Sequence, residues 1–580
     1  MKKQIKRKIS VLLAALMAVG SVAFSATATG AASAETTPVS ATASNSYGLA
    51  DNIADGAILH CWTWSFNTIK ENLPQIAEAG FTSIQTSPIN AVWKGEGGRM
   101  RLKSTNNQGN WWYQYQPTDY TIGNYQLGTK EEFTEMCEVA HSLGIKVIVD
   151  IVANHCSSNE SVISSHVKNI GGKVFHDRVE ISDWSNRYQV TQGKLTGLMD
   201  LNTKNPKVQQ MISEYMDEVL AAGADGFRFD AAKHIELPDD TPYNGTDFSS
   251  DFWPTILDND AEFQYGEILA GADRMGAYAQ MMNVTAEAYG SNLQKALNRK
   301  TVNVSTIKNY KAYDENLKDI TPSKLVTWVE SHDNYCTDDN PSQQQYSSWY
   351  NLNNTQINQG WAIIAAQGDT TPLFFARPKG SAPRDPDASD TVNFNNKWGQ
   401  NTIGLDGDGN YYTDEVKAVN KFRNAMIGEG KNIVQVVKNK VNMIERGTKG
   451  AVLVSVSDND NHISVSTNLA DGEYIDQANG GVFTVSDGTL TGTVSAGKVV
   501  VLYTPEEDDY LIGDLNGNGE IEIEDVTILQ KHLAEFTRED GSPIVDEDDP
   551  RQFAIADVNR DNTISIQDVS AIQRIVAEYV

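Results

Sequence analysis

Cysteine is nearly absent from the chain: Cys61, Cys137, Cys156 and Cys336 are the only four in 580 residues. They follow no metal-ligand spacing, and so few in so long a chain exclude a disulfide scaffold, leaving buried free thiols as the expected state. Basic residues are also short, 47 Lys and Arg against 76 Asp and Glu, for a formal net charge of −29. Such a chain repels phosphate backbones and anionic headgroups, so nucleic acid is excluded as a partner and neutral or cationic partners are favoured. About half of that charge falls after Pro505, which marks the tail as a separate kind of object. Long apolar runs are missing beyond the N-terminus, and nothing there would insert in a membrane. The first apolar run, Ile9 to Ala28, follows Lys2, Lys3, Lys6, Arg7 and Lys8 and precedes the small-residue site Ala32-Ser33-Ala34. Residues 1–34 therefore read as a secretory signal, which predicts a secreted, extracellular protein. The run is rich in Ala and Ser, which argues against the alternative of a retained anchor.

What is present is enough for three or four domains, with 40% hydrophobic residues to build their cores. Residues 35–50 are small and polar and read as a linker. Strands and helices then alternate. Ala57–His60, Ser83–Gln85, Ile145–Asp150, Asp225–Phe229, Phe263–Glu267 and Leu325–Val329 have strand character. Ile69, Leu73, Ile76 and Ala77 form one helical face. Phe133, Met136, Cys137 and Ala140 form another behind a capping box at Thr129 and Glu132. Pro206 opens a third helix, which stops at Gly223. Repeated strand–helix units over residues 51–428 predict an α/β fold, either a (β/α)₈ TIM barrel or a doubly wound sheet. The long irregular stretch at about 156–205 is an insertion of the functional kind. Residues 429–503 switch to strict alternation and predict a small antiparallel β domain.

Four carboxylates, Asp150, Asp230, Glu267 and Asp333, sit at probable strand ends, where barrel active sites gather. Glycoside hydrolysis needs two carboxylates, but spacing alone does not select them. The surrounding stretches do: Asp150–His155 (DIVANH), Gly226–His234 (GFRFDAAKH), Gly266–Ile268 (GEI) and Val329–Asn334 (VESHDN). They resemble, in order, the signature regions of the α-amylase family of glycoside hydrolases, and runs such as AEFQYGEIL and KLVTWVESHD are similar to its saccharifying, Bacillus subtilis-type branch. The resemblance runs from about 51 to 503. It resolves the fold to the (β/α)₈ barrel with an inserted loop domain and a C-terminal β-sandwich. It implies a retaining, endo-acting enzyme that hydrolyses internal α-1,4 bonds of starch, amylose, amylopectin and maltooligosaccharides as a monomer. A glucan transferase, or an enzyme preferring maltodextrin or pullulan, is the rival within the same superfamily.

By that resemblance Asp230 is the nucleophile, Glu267 the acid/base, and Asp333 the carboxylate that binds sugar hydroxyls. Trp111, Tyr115, Gln116, His155, Arg228, Lys233, His234 and His332 are the expected substrate contacts. Arg228 is expected to keep Asp230 ionised, and neighbouring negative charge to raise the Glu267 pKa. The family's structural Ca²⁺ maps onto Asn154 and Asp200 side chains with Thr191 and His234 carbonyls, oxygens suited to a hard cation. A chloride site matches only at Arg228 and Arg377, since Ser331 replaces an Asn.

The tail carries a second signal after a short linker at 504–510. Asp514, Asn516, Asn518, Glu520, Glu522 and Asp525 stand at calcium-loop spacing, and Asp557, Asn559, Asp561, Thr563, Ser565 and Asp568 repeat it. Each loop leads into one helical stripe, Val526, Leu529, Leu533 and then Val569, Ile572, Val576. Two such half EF-hands over 511–580 resemble the dockerin module, which implies two further Ca²⁺ ions and a cohesin domain of a scaffold protein as partner. Asn562 replaces the turn Gly of the second loop, and Thr537 to Phe553 is long and acidic.

Overall fold

The computed structural model describes residues 47–578 apart from 95–99, 104–109, 178, 270–273, 337–346, 383–396, 505–511, 519, 539–541, 548 and 560–562. The signal segment, most of the following linker, Asp561 and Asn562 lie outside the described residues. Eight parallel strands close into a barrel in chain order: β1 Ile58–Cys61, β2 Ser83–Thr86, β3 Lys146–Ile151, β4 Gly226–Phe229, β5 Phe263–Gly266, β6 Asn283–Thr285, β7 Leu325–Trp328 and β8 Thr371–Phe375, which pairs back onto β1. Six of these are the strands that the sequence predicts. β6 and β8 are additional, one only three residues long and the other carrying Pro372, so neither shows a readable alternation.

The helices begin and end where local chemistry dictates. Lys130–Ser142 has both arms of the capping box between Thr129 and Glu132. Pro206–Ala221 starts on Pro206 with the Asn205 side chain accepting from Lys207 N–H. It stops before Gly223, whose φ of +112° suits glycine and where a Cβ would lie 2.6 Å from the Cβ of Cys137. All four cysteines are buried and remain reduced thiols. Ile58, Ile148, Phe263, Tyr265, Val326, Trp328 and Leu373 fill the barrel interior, while the larger core lies between strands and surrounding helices.

Within the insertion, His155–Cys156 and Met199–Asp200 pair antiparallel and frame the helix Arg187–Gln192. Beyond the barrel, β9 Lys431–Val437, β10 Val441–Arg446, β11 Gly450–Ser455 and β16 Val499–Tyr503 form one antiparallel sheet. β12 Asn461–Ser466, β13 Gly472–Ile475, β14 Val482–Ser486 and β15 Thr489–Val494 form the other. Met443, Leu453, Phe483, Leu490 and Leu502 make their shared core, so the two sheets are a sandwich.

In the tail, helices Ile523–Leu533 and Ile566–Glu578 pack through Val526, Leu529, Val569 and Ile572. The inter-repeat stretch, read from sequence only as long and acidic, ends in a third helix, Pro550–Ala556. At seven residues it is too short to show helical periodicity, yet its Ala556 enters the same core.

One buried side chain ties the base of the barrel together. Arg423 Nε donates to Gly56 O at 2.8 Å, Nη1 to Ala365 O at 3.0 Å and Nη2 to Thr370 O at 2.8 Å. Replacing it strands three carbonyls in the interior, each costing about 1–3 kcal/mol. Arg423→Met is therefore expected to lower the melting temperature by more than twice the drop of Thr129→Ala, a cap loss of about 1 kcal/mol. Thermal unfolding followed by circular dichroism checks this, and equal drops would refute the tie.

Candidate active site

Strand register builds the floor of the site. Asp150 on β3 lies beside Arg228 on β4, and Arg228 beside Tyr265 on β5. Ile148, two residues before Asp150 and hence on the same face, fills the barrel below. Arg228 Nη1 donates to Asp150 Oδ1 and Oδ2 at 2.7 and 2.8 Å and to Asp230 Oδ1 at 2.8 Å. Its Nη2 stands 2.9 Å from Glu267 Oε1. One guanidinium thus holds three carboxylates. Because Phe229 pairs with Gly266, Asp230 and Glu267 leave neighbouring strands side by side. The chain then turns through Ala231, a non-glycine residue at φ +49°, whose N–H donates to Glu267 Oε2 at 2.9 Å. Backbone strain of this kind persists where the surroundings impose it, and it clusters at functional sites.

Above this floor opens a cleft of about 460 Å³ lined by Asp230, Glu267 and Asp333, with Trp111, Trp112, Tyr115 and His332 toward one end and Trp184, Leu198, Lys233 and His234 among the rest. Tyr115 stacks on His332 at 5.2 Å and donates from its hydroxyl to Asp150 Oδ2 at 3.1 Å. Trp111 meets both rings edge-on. Gln116 also lines the cleft, its Oε1 accepting from Ser157 Oγ at 3.2 Å. The His155 ring lines it too, with Nε2 donating to Tyr115 O at 3.0 Å and Nδ1 3.3 Å from the Asn154 amide.

The structure therefore gathers every substrate contact expected from sequence except one. Arg228 is buried beneath the carboxylates and does not line the cleft. The expectation that it touches sugar is corrected to a positioning role, because its donors are taken up by Asp150, Asp230 and Glu267. Arg377 is likewise committed, bidentate to buried Glu330 at 2.7 and 2.9 Å, which weakens the chloride match further. Sequence reasoning missed Trp184 and Leu198, whose irregular surroundings gave no signal. It also missed Asp150 as the anchor of Arg228, though the two fall in equivalent strand positions.

Electrostatics revise two further expectations. Burial pushes Asp230 well above the usual carboxylate range, outweighing the opposing Arg228. For Glu267 the balance is reversed: burial raises it, but Arg228 and the Ala231 N–H together hold it below its ordinary value. Asp333 is raised as well. It is half open to the cleft, yet loss of water around it and then the like charge of Glu267, to which it is hydrogen-bonded, push it up to about 7. His155 and His332 fall to about 4, chiefly through burial, and are neutral.

The residues expected at the barrel calcium come together where the insertion meets β3 and β4. The Asn154 amide donates to Asp200 Oδ1 at 3.3 Å, and His234 Nδ1 donates to Val190 O, next to Thr191, at 2.8 Å. Burial drives Asp200 well above the usual range, so a cation beside it would relieve an uncompensated carboxylate. These oxygens fit a hard ion. His176 and Glu236, unpredicted, are buried against them, with His176 Nδ1 2.7 Å from Asp200 Oδ2. In the tail, Gly517 and Asn518 N–H groups fold onto Asp514 Oδ1, and Leu515 and Asn516 N–H groups onto buried Asp525. Asn559 and Ser565 N–H groups reach Asp568 in the same way. Among the described residues no three His, Cys, Asp or Glu side chains converge as a metal cage. The expected sets combine carboxylates with amide, hydroxyl and backbone oxygens.

A closed parallel barrel with carboxylates at its C-terminal rim, under an aromatic-walled cleft, defines the class of barrel glycosidases. Comparison with known proteins narrows the class. The chain belongs to the α-amylase family: residues 62–354 match the model of the alpha amylase catalytic domain. Residues 512–577 match the dockerin type I domain. An α-amylase of Butyrivibrio fibrisolvens is 40% identical over 492 residues, covering 79% of this chain and 48% of that one. An α-amylase of Clostridium acetobutylicum is 35% identical over 466 residues, covering 78% and 55%. The chain thus spans about half the length of these relatives. Among solved structures, α-amylase I of Eisenia fetida with maltohexaose superposes at a TM-score of 0.62 over 77% of this chain and 97% of that chain, with 19% identity. The Geobacillus thermoleovorans α-amylase with acarbose gives 0.57 over 79% and 99%, with 16% identity. Both show the shared fold.

The Asp333 proton has a thermodynamic signature. Its folded pKa of about 7 lies well above the ordinary aspartate value of about 3.9. The folded protein therefore holds a proton that the unfolded chain releases, and this contribution to stability is full below about pH 4 and lost as pH rises toward 7. Partial solvent access trims its size. Asp333→Asn, which cannot titrate, is expected to flatten the fall of melting temperature between about pH 4 and 7. Parallel profiles for the variant and the parent would place the proton elsewhere.

Proposed function

We propose that the protein is an endo-acting α-amylase, secreted and fastened to a scaffold, that hydrolyses internal α-1,4-glucosidic bonds of starch and related glucans with retention. The observation that carries this reading is the pair Asp230 and Glu267 on neighbouring nitrogens of one guanidinium, beneath a cleft walled by aromatic rings. A retaining enzyme needs its two carboxylates ~5–5.5 Å apart, and an inverting one a wider gap that admits water. A shared guanidinium favours the close arrangement. Maltohexaose in the Eisenia fetida structure supports a linear α-glucan as the ligand class.

In this mechanism Asp230 attacks the anomeric carbon in its ionised form, its charge balanced by Arg228 Nη1 at 2.8 Å. As the ester bond forms, the glycosidic C–O bond breaks and Glu267 gives its proton to the departing oxygen. Water then attacks the same carbon, returns a proton to Glu267, and frees Asp230. The hydrogen bond joining Asp333 to Glu267 holds the proton that the first step consumes. Tyr115, stacked on His332, packs against the sugar at the cut, and Trp111, Gln116, His155, Lys233 and His234 bind along the cleft. Asn154, Thr191, Asp200 and His234 would hold a structural Ca²⁺, whose contribution is to fix the insertion. The tail loops would hold two more and present Ile523 and Ile566, 65% and 64% exposed, to a cohesin domain.

Two measurements test this. Asp230→Asn is expected to lower starch hydrolysis by at least a thousandfold while starch binding persists, and retention of a tenth of parental turnover would refute the assignment. Products from soluble starch should be mixed maltooligosaccharides, with slow action on maltotriose and pullulan; longer chains growing from maltotriose would mark a transferase instead. For the tail, chelation is expected to unfold the dockerin segment of the full chain before the barrel melts. Calcium-dependent capture of a cohesin should be lost on truncation after Pro505, with starch cleavage retained. Equal capture by both chains would overturn the docking role.

A further inference from the structure

A second cavity, of about 560 Å³, opens where the barrel meets the sandwich, and among the described residues it shares none with the catalytic cleft. Three segments wall it. They are the end of helix Glu287–Asn298, residues 349–353 with the start of helix Asn354–Ala365, and the sandwich turns that follow β11 and precede β16. Each is fastened. Gln359, 4% exposed, donates from Nε2 to Ser455 O at 2.9 Å and to Gly497 O at 2.8 Å. Lys440 Nζ donates to Lys300 O at 2.7 Å. Arg377 Nη2 donates to Leu352 O at 3.0 Å, and Trp349 Nε1 to Ala382 O at 2.9 Å. Space between two domains commonly changes as they move, but these bonds cross the junction and hold this cavity preformed.

The lining is neutral in a chain with 76 acidic residues. Among the described residues its charged groups are Lys300 and Asp458, and they pair with each other. No spare carboxylate is left for a metal ion and no spare cation for an anion. Amides and hydroxyls remain. Gln359 Oε1, Asn298 Oδ1, Asn353 Nδ2 and the Thr355 hydroxyl enter no hydrogen bond among the described residues. Gln359 is the most telling of these, because its nitrogen is fixed and its residue is almost wholly buried, yet its oxygen is left unclaimed. A sugar hydroxyl both donates and accepts, so neutral donors and acceptors at fixed points match it. Tyr350, half-buried, adds aromatic surface to the wall.

We propose that this cavity is a second glucan site, which holds a stretch of the starch chain outside the catalytic cleft. The choice of an α-glucan rests on the amylase reading above, and the existence of the site rests on the cavity. Two sites on one polymer reinforce each other, because binding at one raises the effective concentration at the other. The site thus favours long chains over short ones without touching the bond that is cut.

The test measures maltoheptaose binding by calorimetry in the full chain carrying Asp230→Asn. Two molecules per chain are expected, and one when Thr355→Trp is added to fill the cavity. Asn298→Ala with Thr355→Ala, which deletes two unclaimed groups at exposed positions without adding bulk, should weaken the second site about tenfold. In the otherwise unaltered enzyme, Thr355→Trp should lower kcat/KM on soluble starch about tenfold and leave that on 2-chloro-4-nitrophenyl maltotrioside unchanged. Melting temperatures equal to the parent's verify the fold, and the double alanine variant keeps the site testable if the tryptophan variant melts early. One maltoheptaose per chain before Thr355 is altered, or two after Thr355→Trp, would overturn the site. Cellohexaose filling the cavity in place of maltoheptaose would overturn its assignment to α-glucan. A parent enzyme that cuts starch but binds a single heptaose refutes this inference alone, whereas one that cuts no starch refutes the amylase reading.

Discussion

A single buried guanidinium carries the organisation of the barrel mouth. Arg228 sits where three strands meet, and its donors reach Asp150, Asp230 and Glu267 at hydrogen-bond distance. A cation removed from water is tolerated only when paired and fully hydrogen-bonded. The same requirement applies in reverse to the carboxylates. Each therefore fixes the others, and removing any one would leave uncompensated charge in the interior. Of the carboxylates that line the cleft, Asp230 and Glu267 are held by a group beneath it, so their positions are set before a ligand arrives. Asp150, wholly buried, serves as the anchor. Tyr115 adds a second link, since its hydroxyl reaches Asp150 while its ring forms the cleft wall.

The same constraint governs where the protons reside. Four carboxylates face one guanidinium, and the cleft histidines His155, His234 and His332 are kept neutral by burial. Not every carboxylate can be ionised under those conditions. Glu267, which takes both an Arg228 nitrogen and the Ala231 N–H, is the one best held as an anion. Asp333, farther from the guanidinium and hydrogen-bonded to Glu267, takes up a proton. In a coupled pair the proton belongs to both groups. A neutral sugar entering between them would change their hydration and thereby redistribute it. The acid role thus need not be a fixed property of the free site.

Much of this was legible in the chain. Six of the eight barrel strands, the capped helices and the change to alternation after residue 429 follow from local patterns, and the order of the motifs located the carboxylates. What local pattern does not encode is partnership across the barrel. Arg228 sits in a motif rich in substrate contacts, which suggested contact with sugar. Only the register with Asp150 and Tyr265 shows that it points below the cleft floor. The Glu267 pKa failed for the same reason, because its direction depends on one N–H from a left-handed turn and one guanidinium nitrogen. β6 and β8 were missed because Asn283–Thr285 and Thr371–Phe375 are strands by virtue of their neighbours, not of their own alternation. Trp184 lies in a stretch without periodicity, where an exposed aromatic gives no sequence signal.

The insertion shows how an irregular segment acquires the rigidity that a site requires. It has little regular structure, and a loop of that length would ordinarily be mobile. Here it is fastened at two places. Its paired strands set His155 against Asp200, which brings the Asn154 side chain onto Asp200 next to a histidine that lines the cleft. Its helix is bolted to the turn after β4 by Arg187, whose guanidinium collects Lys233 O, Ile235 O and Asp240. The oxygens suited to calcium fall between those two fastenings, so an ion bound there would join the β3 end, the insertion and the β4 end without touching the reacting atoms. Buried Asp200 is the group that most needs it, because His176 and the Asn154 amide are its side-chain partners. A structural cation and a buried arginine then do the same physical job at neighbouring points of the rim. Each satisfies carboxylates that the fold has withdrawn from water, and each holds in place the groups that form the cleft.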